Sequence, residues 1–191
     1  MKCLLTSPSA GYSAFLIAAV SAVALTMVAS GATADGKTLP APGARSGMEL
    51  GVMLQAVANG LCVDNAGSVK PGTALQGWKC SPRNLNQRFE QVRRGKNLTT
   101  FRNKLSGLCL DAGKGAKKTG AAVFQAPCAE RANQSLRIIP VSGKSAGKNI
   151  QLRASHNDLC LQMTGDTKRG GRLIQARCDK KNVYQKFKLR S

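Results

Sequence analysis

Apolar and polar residues alternate over short stretches along most of the chain after position 50. Runs of four to seven residues, either alternating or rich in β-branched side chains, lie between turns rich in Gly, Lys, Asn and Pro. Because no stretch of a dozen residues shows a 3.6-residue period, the pattern predicts strands rather than helices. The predicted strands are LQAV, RFEQV, NLTTFRN, VFQA, LRIIPV, NIQLRAS, RLIQA and KFKLR. We therefore expect an all-β fold.

The N-terminal region differs from the rest of the chain. Lys2 precedes a nearly uninterrupted apolar run of 16 residues, 14–29, and the small residues ATA follow at 32–34. This order is typical of a secretory signal peptide. A retained membrane anchor is the alternative, but the run is shorter than the roughly 20 residues that span a bilayer. We predict a signal peptide over 1–34, a flexible Pro- and Gly-rich leader over 35–46, and a periplasmic or extracellular protein that is not transmembrane after cleavage.

Cysteine spacing predicts the disulfide pairing. Of the seven cysteines, Cys3 lies in the predicted signal peptide, which leaves six in a secreted chain. Successive pairs of these six are separated by 18, 19 and 18 residues. A zinc site is disfavoured because the chain has no CxxC or CxxH pair. The recurring separation favours three local bridges, Cys62–Cys80, Cys109–Cys128 and Cys160–Cys178.

The cysteines belong to an internal repeat of about 47 residues. Each copy has its first cysteine within GLCVD, GLCLD or DLCLQ, a glycine eight residues before the second cysteine, and a Gln two residues before an apolar side chain. A unit this short cannot bury an apolar face alone, so the copies are expected to share one core. The domain is predicted over 47–191, with repeats at about 52–98, 99–145 and 146–191.

These motifs resemble the ricin B-type lectin family, and the resemblance covers nearly the whole chain after the predicted leader. It implies a β-trefoil of twelve strands with pseudo-threefold symmetry and one shallow sugar pocket, at most, in each repeat. The family's terminal signature is Gln-x-Trp, whereas this chain has Phe89, Leu136 and Phe187 at the Trp position. Because that position belongs to the core in the family, the difference bears on packing and leaves binding untouched.

The first repeat holds the side chains that sugar recognition requires. A pyranose presents neighbouring hydroxyls on one edge and C–H bonds on one face, so a carboxylate, amides and an aromatic ring are needed. The resemblance assigns hydroxyl hydrogen bonds to Asp64 and Asn86, and stacking to Trp78. It assigns support of the carboxylate, or contact with the ligand edge, to Gln76 and Gln87. The alternative is structural: a core position for Trp78 and a turn cap for Asp64.

The other repeats depart from this pattern. In the second, Ala126 stands at the Trp78 position, Phe124 at the Gln76 position, and Gln125 is displaced by one residue. A weaker second site would therefore consist of Asp111, Gln125, Asn133 and Gln134. In the third repeat the acid, ring and Asn positions hold Gln162, Ala176 and Tyr184, so no binding is expected there. The signature glutamines recur in all three repeats, which indicates that they mainly hold the fold: Gln87, Gln134 and Gln185.

The charge is strongly positive: 29 Lys and Arg against 9 Asp and Glu give a net charge of +20. This surplus is either a solvated surface or an attraction to anionic sugars, lipopolysaccharide or membrane head groups. Nucleic acid is an unlikely partner because a secreted protein meets little of it, and no row of aromatics is available for base stacking. The sequon at Asn97 matters only in a host that secretes through an endoplasmic reticulum.

Catalysis is not expected. His156 is the single His and has no nucleophilic partner once six cysteines are bridged, and the acids are spread singly along the chain. No cofactor is expected either.

Three functions remain. The first is a secreted lectin for galactose-like or anionic cell-surface sugars. The second is a non-enzymatic cell-targeting subunit of a bacterial multi-subunit toxin, with toxin subunits as partners. RIIPV and NIQLRASHNDLCL are similar to the lectin-like subunits of cytolethal distending toxin, which supports this second function. The third is an anion-binding or inhibitory trefoil with a vestigial sugar pocket.

Overall fold

The structure is a computed structural model that describes residues 50–141, 148–164 and 170–191. The predicted signal peptide and leader lie outside these ranges. The described residues form twelve strands and four single-turn 3-10 helices, as the alternating pattern predicts. The strands are β1 Met53–Ala56, β2 Cys62–Asp64, β3 Gln76–Trp78, β4 Phe89–Arg94, β5 Leu98–Asn103, β6 Cys109–Ala112, β7 Val123–Ala126, β8 Leu136–Pro140, β9 Ile150–Ala154, β10 Cys160–Met163, β11 Gly171–Ala176 and β12 Phe187–Arg190. The 3-10 helices are Leu85–Gln87, Gly113–Gly115, Ala132–Gln134 and Val183–Gln185.

Six of the strands form a closed barrel. The antiparallel pairs β4–β5, β8–β9 and β1–β12 are joined by β5–β8, by β9–β12 and by a bridge between Val52 and Phe89. Closure leaves these strands without a free edge. Because neighbouring strands are antiparallel, one end of the barrel holds the first residues of three strands and the last residues of the other three. The strands that begin there are β1, β5 and β9, and those that end there are β4, β8 and β12. We call this the open end.

Three hairpins, β2–β3, β6–β7 and β10–β11, cover the other end, which we call the cap end. They contact one another through the β3–β11 pairing and through bridges from Ala74 to Phe124 and from Ala122 to Ile174. Each repeat thus contributes two barrel strands and one hairpin. The arrangement confirms the predicted β-trefoil.

The core lies inside the barrel and under the hairpins. Phe89, Leu136 and Phe187, which replace the Trp of the family signature, are all buried in one cluster with apolar residues from all three repeats. Burying a side chain of this size contributes roughly 1.5–3 kcal/mol. The prediction that these positions serve packing is confirmed.

Each hairpin carries one disulfide. The bonds Cys62–Cys80, Cys109–Cys128 and Cys160–Cys178 join the first hairpin strand to the segment that follows the second. This is the pairing that the recurring separation predicts, with one bridge per repeat. Each closed loop is worth about 3 kcal/mol in the chain-entropy model.

Candidate functional site

Two hydrogen bonds fix the carboxylate of Asp64, the last residue of β2. Asp64 is 2% exposed; its Oδ1 accepts from the backbone N–H of Ala66 at 2.6 Å, and its Oδ2 accepts from Nε2 of Gln87 at 2.9 Å. Ala66 has a positive φ of 58°, which turns the chain back toward the carboxylate. Among the described residues no cation forms an ion pair with Asp64. A carboxylate has about four acceptor positions, so these two bonds leave about two of them unused.

Gln87 serves the fold through all of its amide atoms. It is 0% exposed, and its Nε2 donates to the Lys79 carbonyl as well as to Asp64, while its Oε1 accepts from the N–H of Ser81. Gln134 and Gln185 repeat this arrangement. The Nε2 atom of each donates to the residue in the acid position of its repeat, and the Oε1 atom of each accepts from the backbone N–H of the residue that follows the second cysteine. The recurring Gln therefore holds the site residue against the disulfide loop in every repeat.

The pairing of β2 with β3 determines which face carries the predicted ring. Gln76 lies opposite Asp64 and Trp78 opposite Cys62, so strand alternation places all of them on one face. Gly77 points to the other face, where a Cβ would meet Sδ of Met163 at 2.6 Å. Trp78 is 41% exposed and lies outside the buried cluster. The structure thus excludes a core position for this indole.

Asn86 is fixed through its backbone and keeps its side chain free. Its carbonyl accepts from the N–H of Asn65 at 3.2 Å and from Nδ2 of Asn103 at 2.9 Å. Within the described ranges, the half-buried side-chain amide of Asn86 forms no hydrogen bond. It lies in the 3-10 turn next to Gln87 and so belongs to the surroundings of Asp64. A carboxylate, a free amide and an exposed indole are therefore available in the first repeat.

In the second repeat more of the carboxylate is already used. Oδ2 of Asp111 accepts from Nδ2 of Asn133 at 2.7 Å and from Nε2 of Gln134 at 3.2 Å, and Oδ1 accepts from the N–H of Lys114 at 2.8 Å. Asn133 thus donates to the acid, whereas Asn86 in the first repeat does not donate to Asp64. Asp111 has three partners against two for Asp64. The second site has less hydrogen-bonding capacity left for a ligand.

The structure does not bring Gln125 to this second site. It lies opposite Leu110, one position away from the pair formed by Asp111 and Phe124, so its side chain points to the inner face and is 1% exposed. Its Nε2 donates to the carbonyls of Ser68 and Lys70. The expectation that Gln125 contributes to binding is corrected here, because strand alternation assigns it to the contact between repeats.

Phe124 lies directly opposite Asp111; the sequence comparison matched it to Gln76 but did not count it among the candidate site residues. Nζ of Lys114 lies 4.9 Å from the centroid of this ring. This distance is within the range of a cation–π contact between the ammonium group and the ring. Phe124 and Gln76 each stand four residues before the second cysteine of their repeats, so both lie opposite the acid position.

The third repeat has no carboxylate at the acid position. Oε1 of Gln162 accepts from Nδ2 of Asn182 and from Nε2 of Gln185. Ile174 lies opposite Gln162, and Ala176 lies opposite Cys160. The exposed Tyr184 occupies the position of Asn86. The set needed for sugar recognition is incomplete in this repeat.

His156 takes part in a contact between repeats. Its Nε2 lies 3.1 Å from the carbonyl oxygen of Ala116, which also accepts from Asn157 at 2.9 Å. These bonds hold the β6–β7 loop of the second repeat. In the described ranges no three His, Cys, Asp or Glu residues are placed to hold a metal ion, and no helix has the length and hydropathy of a membrane span.

Two concave pockets lie at the open end, away from Asp64 and Trp78. One is lined by the β4–β5 turn around Asn97, and the other lies between the start of β9 and the end of β12. A sugar edge and face can be recognised on a shallow surface by a few fixed polar groups and one ring. The candidate carbohydrate-binding side chains are therefore those around Asp64, and the open-end pockets lie apart from them.

Two family models together span the trefoil. The ricin-type β-trefoil lectin domain matches residues 97–191, and the ricin-type β-trefoil lectin domain-like model matches residues 44–126. No curated protein matches the chain. The matches support a carbohydrate-binding role.

Solved structures share the fold at low identity. The designed threefold-symmetric protein ThreeFoil is 22% identical with a TM-score of 0.68, covering 73% of this chain and 97% of that chain. The Haemophilus ducreyi cytolethal distending toxin is 14% identical with a TM-score of 0.61, covering 82% of this chain and 89% of that chain. The earthworm R-type lectin C-half in complex with GalNAc is 18% identical with a TM-score of 0.55, covering 73% of this chain and 97% of that chain. At these identities the likeness shows the fold.

Proposed function

The chain belongs to the ricin B-type β-trefoil lectin family, and on that premise we propose that it is a secreted lectin whose sugar site lies in the first repeat. One observation carries the proposal: Asp64 is fixed by two hydrogen bonds, has no cationic partner among the described residues, and shares a face with the exposed Trp78. The second repeat has the acid without the indole, and the third has neither. Binding without catalysis is part of this proposal.

The proposed ligand is a galactose-like sugar. The two remaining acceptor positions of Asp64 would receive two neighbouring hydroxyls, and the free amide of Asn86 would bond to one of them. Trp78 would cover the C–H face of the ring, which in galactose is continuous because the axial 4-hydroxyl points to the opposite side. The earthworm lectin in complex with GalNAc supports this choice of sugar. One shallow site binds weakly, so clustered glycans would raise the avidity.

A glycan array with matched variants tests the proposal. Trp78→Ala should abolish binding to galactose-terminated glycans, and Asp64→Asn should weaken it at least about tenfold, the loss expected for one charge-assisted hydrogen bond. Tyr184→Ala is the control, because Tyr184 is a comparably exposed aromatic residue in the third repeat. Equal losses in Trp78→Ala and Tyr184→Ala, or unchanged binding in Trp78→Ala, would contradict a site in the first repeat.

A second candidate function is a non-enzymatic cell-targeting subunit of a toxin. The overlap with cytolethal distending toxin favours it, since the alignment covers most of both chains. The genes beside this one provide the test. An adjacent nuclease-type reading frame whose product forms a stoichiometric complex with this chain on co-expression would support the subunit role. Failure of the co-expressed products to associate would leave the free lectin.

A further inference from the structure

A concave pocket at the open end of the barrel is lined by three cationic residues. Lys148, Lys188 and Arg190 line it together with Ile150 and Leu189, and its volume is about 460 Å³. The pairing of Phe187 with Ile150 brings the start of β9 beside β12, so the basic residues at these two strand ends converge. We call this the open-end basic pocket. Volumes of this size are typical of sites for small ligands.

The positive charge of this pocket is not balanced by neighbouring acids in the described part of the chain. The ion pairs there are Arg94–Glu130, Lys104–Glu90, Arg137–Asp158 and Arg153–Asp158, and none includes a residue of the pocket. Strand alternation places Lys188 and Arg190 on one side of β12, while Leu189 between them packs against the core. Like charges held together repel one another, and a bound anion would relieve this repulsion.

We propose that the open-end basic pocket binds a sulfated polysaccharide through its sulfate groups. The guanidinium of Arg190 would form bidentate hydrogen bonds to one sulfate, and the two lysines would act as point charges for neighbouring groups. This inference goes beyond the proposed function, because the ligand class differs and the pocket lies at the opposite end of the barrel from Asp64.

The distribution of exposed apolar side chains favours a polysaccharide over a membrane. Docking to a lipid surface usually inserts several apolar side chains beside the basic ones. Leu50 is the exposed large apolar residue at this end, just before β1. The others in the described ranges lie toward the cap end: Val69, Trp78, Leu85, Leu105, Val183 and Tyr184. Nucleic acid is disfavoured for a related reason, because the exposed aromatics that could stack on bases are also toward the cap end.

Calorimetric titration with heparin tests the proposal. The triple variant Lys148→Gln, Lys188→Gln, Arg190→Gln should lose about tenfold or more in affinity near 0.1 M salt. The slope of its log affinity against log salt concentration should become shallower by about two to three, because up to three charge contacts are removed. The control is Lys117→Gln, Lys118→Gln, Lys181→Gln, which removes the same charge from exposed cap-end positions. It should stay within about threefold of wild type.

Three results would overturn the inference. One is absence of heparin binding by the wild type, and another is an equal loss in both triple variants, which would show that only the overall charge matters. The third is that the pocket triple variant loses more binding to phosphatidylglycerol vesicles than to heparin, which would indicate a membrane site. Thermal unfolding of each variant checks that it is folded. Trp78→Ala should keep its heparin affinity, so the failure of the sugar site and the failure of this pocket are distinguishable.

Discussion

Replacing Gln87 by Glu would place a second carboxylate against the fixed carboxylate of Asp64. The Nε2 atom that now donates to Oδ2 of Asp64 and to the Lys79 carbonyl, both at 2.9 Å, would become an acceptor, while the bond from Ser81 could remain. Two ionised carboxylates at this distance repel by at most about 6 kcal/mol at an effective dielectric constant near 20. The lost hydrogen bonds cost roughly 1–3 kcal/mol for each buried group.

The variant should therefore show a pH-dependent loss of stability. Repulsion raises the pKa of the carboxyl pair in the folded state above its value in the unfolded chain. A raised pKa means that stability is retained at low pH and lost as pH rises through the raised value. Relative to wild type, we expect a loss of about 1–2 kcal/mol near pH 4, where a shared proton restores one hydrogen bond. Near pH 7.5 the expected loss is about 3–5 kcal/mol.

Urea unfolding across this pH range measures the effect. Gln91→Glu is the control, because it adds the same charge at an exposed position on β4 and should change stability by less than about 0.5 kcal/mol at either pH. If Gln87→Glu lost the same stability at every pH, or lost none, Gln87 would not hold the Asp64 carboxylate, and the account of the signature glutamines would be refuted.

Three further predictions concern the scaffold and its processing. Replacing Cys109 and Cys128 together by Ala should lower the free energy of unfolding by about 3 kcal/mol in denaturant titration, and an unchanged midpoint would contradict a stabilising role for that bridge. Gly77→Ala should lower the melting temperature through a loss of about 1–3 kcal/mol, because the new Cβ would lie 2.6 Å from Sδ of Met163. Intact-mass analysis of secreted protein should give an N-terminus at Asp35, and a retained Met1 would refute signal cleavage.

The repeat was the strongest information in the sequence, and it predicted the features that recur in every copy. The disulfide pairing, the barrel strands and the burial of Phe89, Leu136 and Phe187 all follow from a unit that occurs three times. The shortest strands were harder to predict, although their hairpin recurs in every repeat. Strands β2 and β3 have three residues each, too few for an alternating pattern to be distinguished from a turn.

The misplacement of Gln125 has a physical cause in strand alternation. Matching the repeats by residue type makes Gln125 look like a shifted Gln76, but a shift of one residue moves a side chain to the other face of the strand. Gln175, at the equivalent position of the third repeat, is also buried and accepts from Asn157. A comparison of these two glutamines by position, rather than with Gln76, would have indicated an inner-face role. Which residues bond to Asp111 depends on backbone turns that the sequence does not reveal.

The inner position of Gln125 also shows how the second repeat would support the sugar site proposed in the first repeat. The loop after Asp64 carries the Ala66 N–H that fixes the carboxylate, and the same loop presents the carbonyls of Ser68 and Lys70 to the Gln125 amide at 2.7 and 3.1 Å. Oε1 of Gln125 accepts from Asn65, the residue directly after Asp64. The second repeat therefore positions the loop on which the first repeat's carboxylate depends. The second repeat can therefore lack a complete sugar-binding set of its own and still support the proposed site in the first repeat, because its inner-face Gln125 holds the loop that follows Asp64.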